Sequence, residues 1–343
     1  MAAPFDLERL EVKGAPRPVV QGVLGGAQYS VSANGTLAYV PGGPQSAEGK
    51  LVWVSRNGAE QPLAAPARAY AQPRLSPDGR RIVVNVMENG ETQLGLYDIA
   101  RDTLSRFTFE GSLNEYAVWT PDGKKIVFSS NRQGALHIFW QLADGSGGLE
   151  RLTNGNTDEV AFSWSPDSQL LAFVATAPGG PEFFVLPISG GKALRLLKSQ
   201  AFEDAPQFSP DGRWLAYTSD ESGRREIYVQ PYPGPGGKWQ ISTEGGNEPQ
   251  WNHNGRELFY RLGDQMMAVD IATVPSFAAR KPRQLFEGHY MTNVLARPDY
   301  DVSADGQRFL MIKPVEQVES APTQINVVLN WTEELKRLVP TGK

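Results

Sequence analysis

The sequence predicts an all-β fold, a seven-bladed β-propeller with four antiparallel strands per blade. A turn phrase recurs seven times at near-constant spacing, an apolar β-rich run follows each copy, and two further short β-rich runs fill the intervals. Such a period is the signature of a repeat architecture, and four strands in about 44 residues is the pattern of a propeller blade.

The phrase is Ser or Thr, often Pro, then Asp or Asn and usually Gly. It reads Val31-Ser32-Ala33-Asn34-Gly35, Leu75-Ser76-Pro77-Asp78-Gly79, Trp119-Thr120-Pro121-Asp122-Gly123 and Trp164-Ser165-Pro166-Asp167-Ser168 in the first four copies. Phe208-Ser209-Pro210-Asp211-Gly212, Trp251-Asn252-His253-Asn254-Gly255 and Val302-Ser303-Ala304-Asp305-Gly306 complete the set. Asn34, Asp78, Asp122, Asp167, Asp211, Asn254 and Asp305 stand 44, 44, 45, 44, 43 and 51 residues apart. Pro presets φ, Asp or Asn bonds its own following backbone and Gly accepts positive φ, so these seven are structural turn residues. Each phrase marks a hairpin, at about 27–40, 71–86, 116–130, 160–175, 205–219, 248–261 and 299–313.

Third and fourth strands follow, as in Leu136–Trp140 with Glu150–Thr153 and Glu226–Val229 with Trp239–Ser242. A blade cannot bury both faces alone, so the ring must close. The last unit supplies Tyr300–Ser303, Arg308–Ile312 and Ile325–Trp331, which is three strands. Pro18–Val23, within a closing strand at about 17–23, is expected to complete it, a three-plus-one closure. A six-bladed ring with one degenerate unit is the rival reading. A helix is expected at about 332–338, with Thr332 as cap, Glu333 and Glu334 in its first turn and Lys336 and Arg337 in its last. Residues 1–343 read as one domain.

The chain has 343 residues, 40% hydrophobic, enough for a sizeable core. A net charge of −5 lacks the basic excess of a nucleic-acid binder. With no cysteine there is no disulfide framework, thiol nucleophile or Cys-ligated metal. No apolar run approaches the roughly 18 residues of a membrane span, and Asp6 and Glu8 stand where a secretory signal would be basic and then apolar. The chain reads as soluble and monomeric, with its compartment open.

Ser-Pro-Asp-Gly followed by Arg or Lys and a run such as Ile126-Val127-Phe128 resembles the WD-type repeat of TolB-like β-propellers, over nearly the whole chain. More narrowly, Phe5–Val12, Thr36–Gly43, Arg256–Arg261 and Val328–Leu338 resemble the propeller that follows the kinase domain in bacterial transmembrane serine/threonine kinases. That resemblance implies an extracytoplasmic, periplasmic sensor or interaction module. No Val-Ala-Ile-Lys, His-Arg-Asp or Asp-Phe-Gly is present, so kinase activity is carried over to no residue.

No Gly-x-Ser-x-Gly occurs, and the three histidines, His137, His253 and His289, fall in a strand, a turn and a loop, so no catalytic or metal-ligating residue is assigned. The most suggestive cluster is acidic. Glu115, Asp158, Glu159, Glu203, Asp204, Glu248 and Asp299 precede the innermost strands of five units, and the repeat would gather them at one mouth of the channel. Converging carboxylates could attract a basic peptide or hold Ca²⁺. The plainer account is that they accept hydrogen bonds from N–H groups of adjacent blades. Trp119, Trp164, Phe208 and Trp251 occupy one repeat position, which reads as core between blades rather than a sugar platform. The expected function is non-catalytic binding of a protein, peptide or small ligand at one face, without a cofactor. The alternatives are a propeller enzyme with a divalent cation at the acidic mouth, or the gating propeller of a TolB-like serine peptidase.

Overall fold

Each turn phrase closes a hairpin by the expected chemistry. In the computed structural model, Ser76 Oγ donates to Asp78 Oδ1 at 2.5 Å, Arg80 N–H donates to the same oxygen at 3.1 Å, and Gly79 N–H donates to Ser76 O at 2.8 Å. The hydroxyl–Asp–backbone set recurs at Thr120–Asp122–Lys124, Ser165–Asp167–Gln169, Ser209–Asp211–Arg213 and Ser303–Asp305–Gln307. The hydroxyl first, and the backbone N–H with it, hold Asp78, Asp122, Asp167 and Asp305 below the usual carboxylate range.

The structure describes residues 29–32, 34–40, 48–177, 180–196, 201–234, 236–274, 276–292, 298–315 and 325–339, with residues 3, 5, 6, 11, 12, 19 and 20. The chain divides into two compact units, Glu48–Val315 and Met1–Ala47 with Glu316–Lys343, where the sequence suggested one domain.

Among the described residues Glu48–Val315 holds six blades, five of four strands and one of five. Written from the innermost strand outward, blade 1 is Ala69–Leu75, Arg81–Glu88, Glu91–Asp98 and Thr103–Arg106, and blade 2 is Asn114–Trp119, Lys125–Ser130, His137–Leu142 and Glu150–Arg151. Blade 3 is Glu159–Trp164, Leu170–Ala177, Gly180–Pro187 and Leu194–Arg195, and blade 4 is Glu203–Phe208, Trp214–Ser219, Glu226–Pro231 and Trp239–Gln240. Blade 5 is Asn247–Trp251, Glu257–Leu262 and Gln265–Ala272, with both Ala278–Ala279 and Arg283–Glu287 on its outer side. Blade 6 joins the two ends of the unit: Asp301–Val302 and Arg308–Pro314 pair onward to Gly49–Ser55 and Glu60–Pro62.

Closure is therefore two-plus-two in a six-membered ring, and this corrects the seven blades and the three-plus-one closure. Arg308–Pro314 runs against Gly49–Ser55 in an unbroken seven-pair register, from Arg308↔Ser55 to Pro314↔Gly49. The last repeat lends its first two strands and the first repeat its last two, so seven phrases yield six blades. The expected closing strand at 17–23 lies outside the described residues except for Val19 and Val20, which are in no strand.

Apolar side chains are packed between blades. Leu51, Trp53, Leu310 and Ile312 of blade 6 join Tyr70, Ile82, Val84 and Tyr97 of blade 1, and Phe259 and Met266 of blade 5 join Tyr300, Phe309 and Met311 of blade 6. Phe259 and Phe309 meet edge to face at 5.0 Å. The turns join in too. A Cβ on Gly212 would lie 3.2 Å from Cδ of Pro166 on the preceding blade, and one on Gly123 would lie 3.5 Å from Cδ of Pro77. Proline in one phrase thus sits on glycine in the next.

Gly212 has φ of +69° and so does Gly79, but a Cβ on Gly79 would meet nothing within 4 Å. Gly79→Ala should cost about 1 kcal/mol from left-handed strain alone, and Gly212→Ala measurably more because Pro166 must also give way. Equal losses in urea unfolding would show that the inter-blade contact contributes nothing.

The other unit contains the first predicted hairpin. Tyr29–Val31 pairs with Leu37–Tyr39, and Leu37–Tyr39 pairs with Asn326–Val328, the segment expected as a strand of the last blade. Phe5–Asp6 pairs with Glu11–Val12. The helix spans Trp331–Leu338, and its cap is Asn330 in the left-handed conformation with no side-chain cap bond, so Thr332 is not the cap. Lys336 pairs with Glu333 and Arg337 with Glu334, as the charge pattern suggested.

Candidate functional site

In blades 1 to 5 the innermost strand runs from a backbone bulge at one end of the ring to the turn phrase at the other. The register shifts between Ala71 and Arg74, Glu115 and Val118, Ala161 and Ser163, Asp204 and Gln207, and Asn247 and Gln250. Gln72, Tyr116, Ala205 and Glu248 take positive φ at these bulges, which tilts their neighbours out of the regular pleat.

At the bulge end the predicted acids do not form an open mouth. Glu159, Glu203, Asp204, Glu248 and Asp299 are all buried, Glu115 is half-buried and Asp158 is exposed. Several of them bond as the plainer account had it. Glu248 Oε2 accepts Asp299 N–H at 3.0 Å, Asp299 Oδ1 accepts Gln72 N–H at 2.8 Å, and Gln72 Oε1 accepts Tyr116 N–H at 3.1 Å. Each side chain here stands six residues before its turn Asp or Asn and ties its blade to the next, from blade 5 through blades 6 and 1 to blade 2. Gln72 belongs to this chain of bonds but carries no charge, so a search for carboxylates passes over it.

Asp158 and Glu159, at the entry to blade 3, reach across to blade 2, while Asp204 bonds to the residue after it. Glu159 Oε2 lies 3.1 Å from His137 Nδ1, Asp158 Oδ1 accepts Leu136 N–H at 2.8 Å, and Asp204 Oδ1 accepts Ala205 N–H at 2.8 Å. Burial pushes the Asp204 carboxyl up to about 7, and it raises Glu248 and Asp299 too, with the negative charge of Asp299 adding to the effect on Glu248. Arg261, 2% exposed, offsets part of that charge, and its Nη2 donates to Gly263 O at 3.0 Å.

The turn end is open. A cavity of about 690 Å³ is lined by all six blades. Blades 2 to 4 supply an apolar wall that includes Trp119, Pro121, Phe162, Trp164, Pro166 and Phe208. Blades 5, 6 and 1 supply His253, Asp301, Arg308 and Arg74 to the opposite wall, where His253 and Ala304 stand in the phrase position occupied elsewhere by proline. Trp119 Nε1 donates to Arg74 O at 3.1 Å and Trp251 Nε1 to Gln207 O at 3.2 Å, so these indoles also rivet adjacent blades. The aromatic position was legible as core. That it borders a cavity was not, and Arg74 and Asp301 were missed because the residue four before the turn Asp or Asn varies from blade to blade, with only blades 4 and 5 sharing Gln.

Among the described residues no three His, Cys, Asp or Glu side chains are placed to share a metal ion. His137 is held by Glu159, His289 lies 3.5 Å from Asp264, and His253 is at the cavity rim. Among the same residues no helix is long and apolar enough to cross a membrane.

Comparison with known proteins agrees with this architecture. A TolB-type protein of Agrobacterium tumefaciens superposes with a TM-score of 0.65 at 18% identity, covering 79% of this chain and 99% of that one. TolB of Acinetobacter baumannii gives 0.54 at 20% identity, over 81% of this chain and 66% of that one. An oligogalacturonate lyase solved with manganese gives 0.53 at 14%, over 83% and 84%. At these identities the likeness is one of fold. In sequence, residues 28–160 and 146–293 match the TolB beta propeller domain. With the repeat, the blade pairing and this match in agreement, the chain belongs to the TolB β-propeller family.

Proposed function

We propose that the chain is a non-catalytic binding module whose turn-end cavity receives an extended segment of a protein or peptide. The observation that carries this reading is the cavity itself, about 690 Å³, to which every blade contributes and in which an apolar wall faces a polar one. A segment with side chains on two sides meets both chemistries there. In a longer relative the same module would serve as the extracytoplasmic sensor of a serine/threonine kinase, as the terminal motifs suggest. The alternative of a cation-dependent enzyme at the acidic end lacks support of this kind, because five of the seven carboxylates are buried and most already accept backbone N–H groups.

Trp53, Trp119, Trp164 and Trp251 line the cavity, so their fluorescence reports its occupancy. Titration with short proline-containing peptides should give a saturable change, and Gln207→Trp, which fills the cavity from blade 4, should abolish it while melting as the parent does. Absence of any saturable change with the parent, or binding untouched by Gln207→Trp, would overturn the cavity reading.

A further inference from the structure

We propose that the cavity recognises a carboxylate on its peptide ligand and that Arg74 is the residue that receives it. This rests on the cavity reading above and names the chemistry it selects.

Arg74 lines the cavity from the innermost strand of blade 1. Its Nη1 donates to Pro73 O at 2.7 Å and to Tyr300 O at 3.1 Å, and its Nη2 donates to Pro298 O at 2.9 Å. Three carbonyls fix the plane of the guanidinium without cancelling its charge. The carboxylates that share the cavity are committed elsewhere. Asp301 Oδ2 accepts Leu75 N–H at 2.7 Å and its Oδ1 accepts Val302 N–H at 2.9 Å, while Asp78 and Asp305 are closed into their turns. At the rim, Arg308 lies 4.5 Å over the ring of Trp53, a second cation facing the opening. The polar wall therefore holds acids that each already accept hydrogen bonds from their own surroundings, beside two guanidiniums, Arg74 held in orientation by carbonyls and Arg308 at the rim, which supply the donors a carboxylate needs.

The groups that face Arg74 are Asp301 and Tyr300 of blade 6, Glu248 of blade 5 and Asp299 at the entry to blade 6, with Arg261 of blade 5 beyond them and His253 beside Asp301. Burial, above all, holds Glu248, Asp299 and Asp301 above the ordinary carboxylate range, although the charge of Arg74 acts the other way, and acidification favours their neutral forms, which leave the guanidinium its charge. As they ionise they compete with an incoming carboxylate, and binding weakens with rising pH. A peptide is favoured over an acidic sugar because Trp119 and Trp251 are buried and held to the neighbouring blade by their indole N–H groups, which leaves Trp164 as the one half-buried indole among the tryptophans of the cavity.

The test uses three probes on the full chain at pH 6.0 and pH 8.5, read by tryptophan fluorescence and calorimetry: Ac-Pro-Ala-Pro-Ala-Ala as the free acid, the same peptide as its C-terminal amide, and the amide with Asp in fourth place. One or both acids should bind about tenfold tighter than the neutral amide at pH 6.0. Preference for the first acid assigns a chain terminus, and preference for the third probe assigns a side chain. The preference should shrink at pH 8.5, vanish in Arg74→Met and persist in part in Arg74→Lys, which keeps the charge and controls for lost packing. Equal binding of acid and amide that Gln207→Trp still blocks would overturn the carboxylate inference and leave the cavity reading standing. Failure of all three peptides, with digalacturonate bound in an Arg74-dependent way, would overturn the peptide and assign a sugar acid.

Discussion

A chain of residues 48–315 should unfold in one cooperative transition, and a chain that begins at Leu63 should show none. The strand Gly49–Ser55 carries Leu51, Val52, Trp53 and Val54, none more than 6% exposed, and it makes the seven-pair seam with Arg308–Pro314. Burying four such side chains contributes about 6–12 kcal/mol, which is comparable with the roughly 5–15 kcal/mol that holds an ordinary domain together. Without it blades 6 and 1 also lose the cluster of Leu51, Trp53, Tyr70, Ile82 and Leu310 that they share. Circular dichroism melts of the two chains test this, and a sharp melt from the chain beginning at Leu63 would place closure elsewhere.

Stability should fall as the pH rises from 5.5 to 8.5. Asp204 is buried and its folded pKa is raised to about 7, so in the part of this window below that value the folded state holds a proton that the unfolded state has released. A state that binds more protons gains on acidification, so this contribution is present below the folded pKa and lost above it. For Asp204 alone the loss across the window is about 2 kcal/mol, or about 5 °C in Tm for a unit of this size. Glu248, Asp299 and Asp301 are raised as well and act in the same direction. The turn aspartates Asp78, Asp122, Asp167 and Asp305 are lowered and titrate well below the window, so they do not oppose the trend. Calorimetry should show the decline in the parent and a flatter profile in Asp204→Asn. A Tm that rises with pH would mean that these acids are ionised and well solvated in the fold.

The blade hairpins could be read from sequence because their chemistry is local: Ser76, Pro77, Asp78 and Gly79 contain all that closes their turn. The ring closure could not. The partner of Val54 is Phe309, and nothing adjacent to either residue identifies the other, so the repeat by itself does not say which hairpin the run from Gly49 to Pro62 joins. At the bulge end the acids were found by position, but their burial depends on a register shift and on left-handed residues such as Ala205 and Glu248, which have no sequence signature of their own. The cavity residues were invisible for the opposite reason. Arg74, Val118, Ser163, Gln207, Gln250 and Asp301 share one repeat position and no common chemistry, so periodicity finds the slot and cannot say what it selects.

The seam also sets an order of events during synthesis. Leu51 to Val54 leave the ribosome early, and Phe309 to Ile312, against which they pair, emerge only some 260 residues later. At about 5–20 residues per second the nascent chain carries an unpaired apolar strand for roughly 13–50 s. Blades 1 to 5 can assemble meanwhile on their own local hairpins, while this strand stays exposed to other chains. Slow elongation should therefore increase aggregation of the newborn chain, and a holdase that covers residues 49–55 until synthesis reaches Pro314 should suppress it.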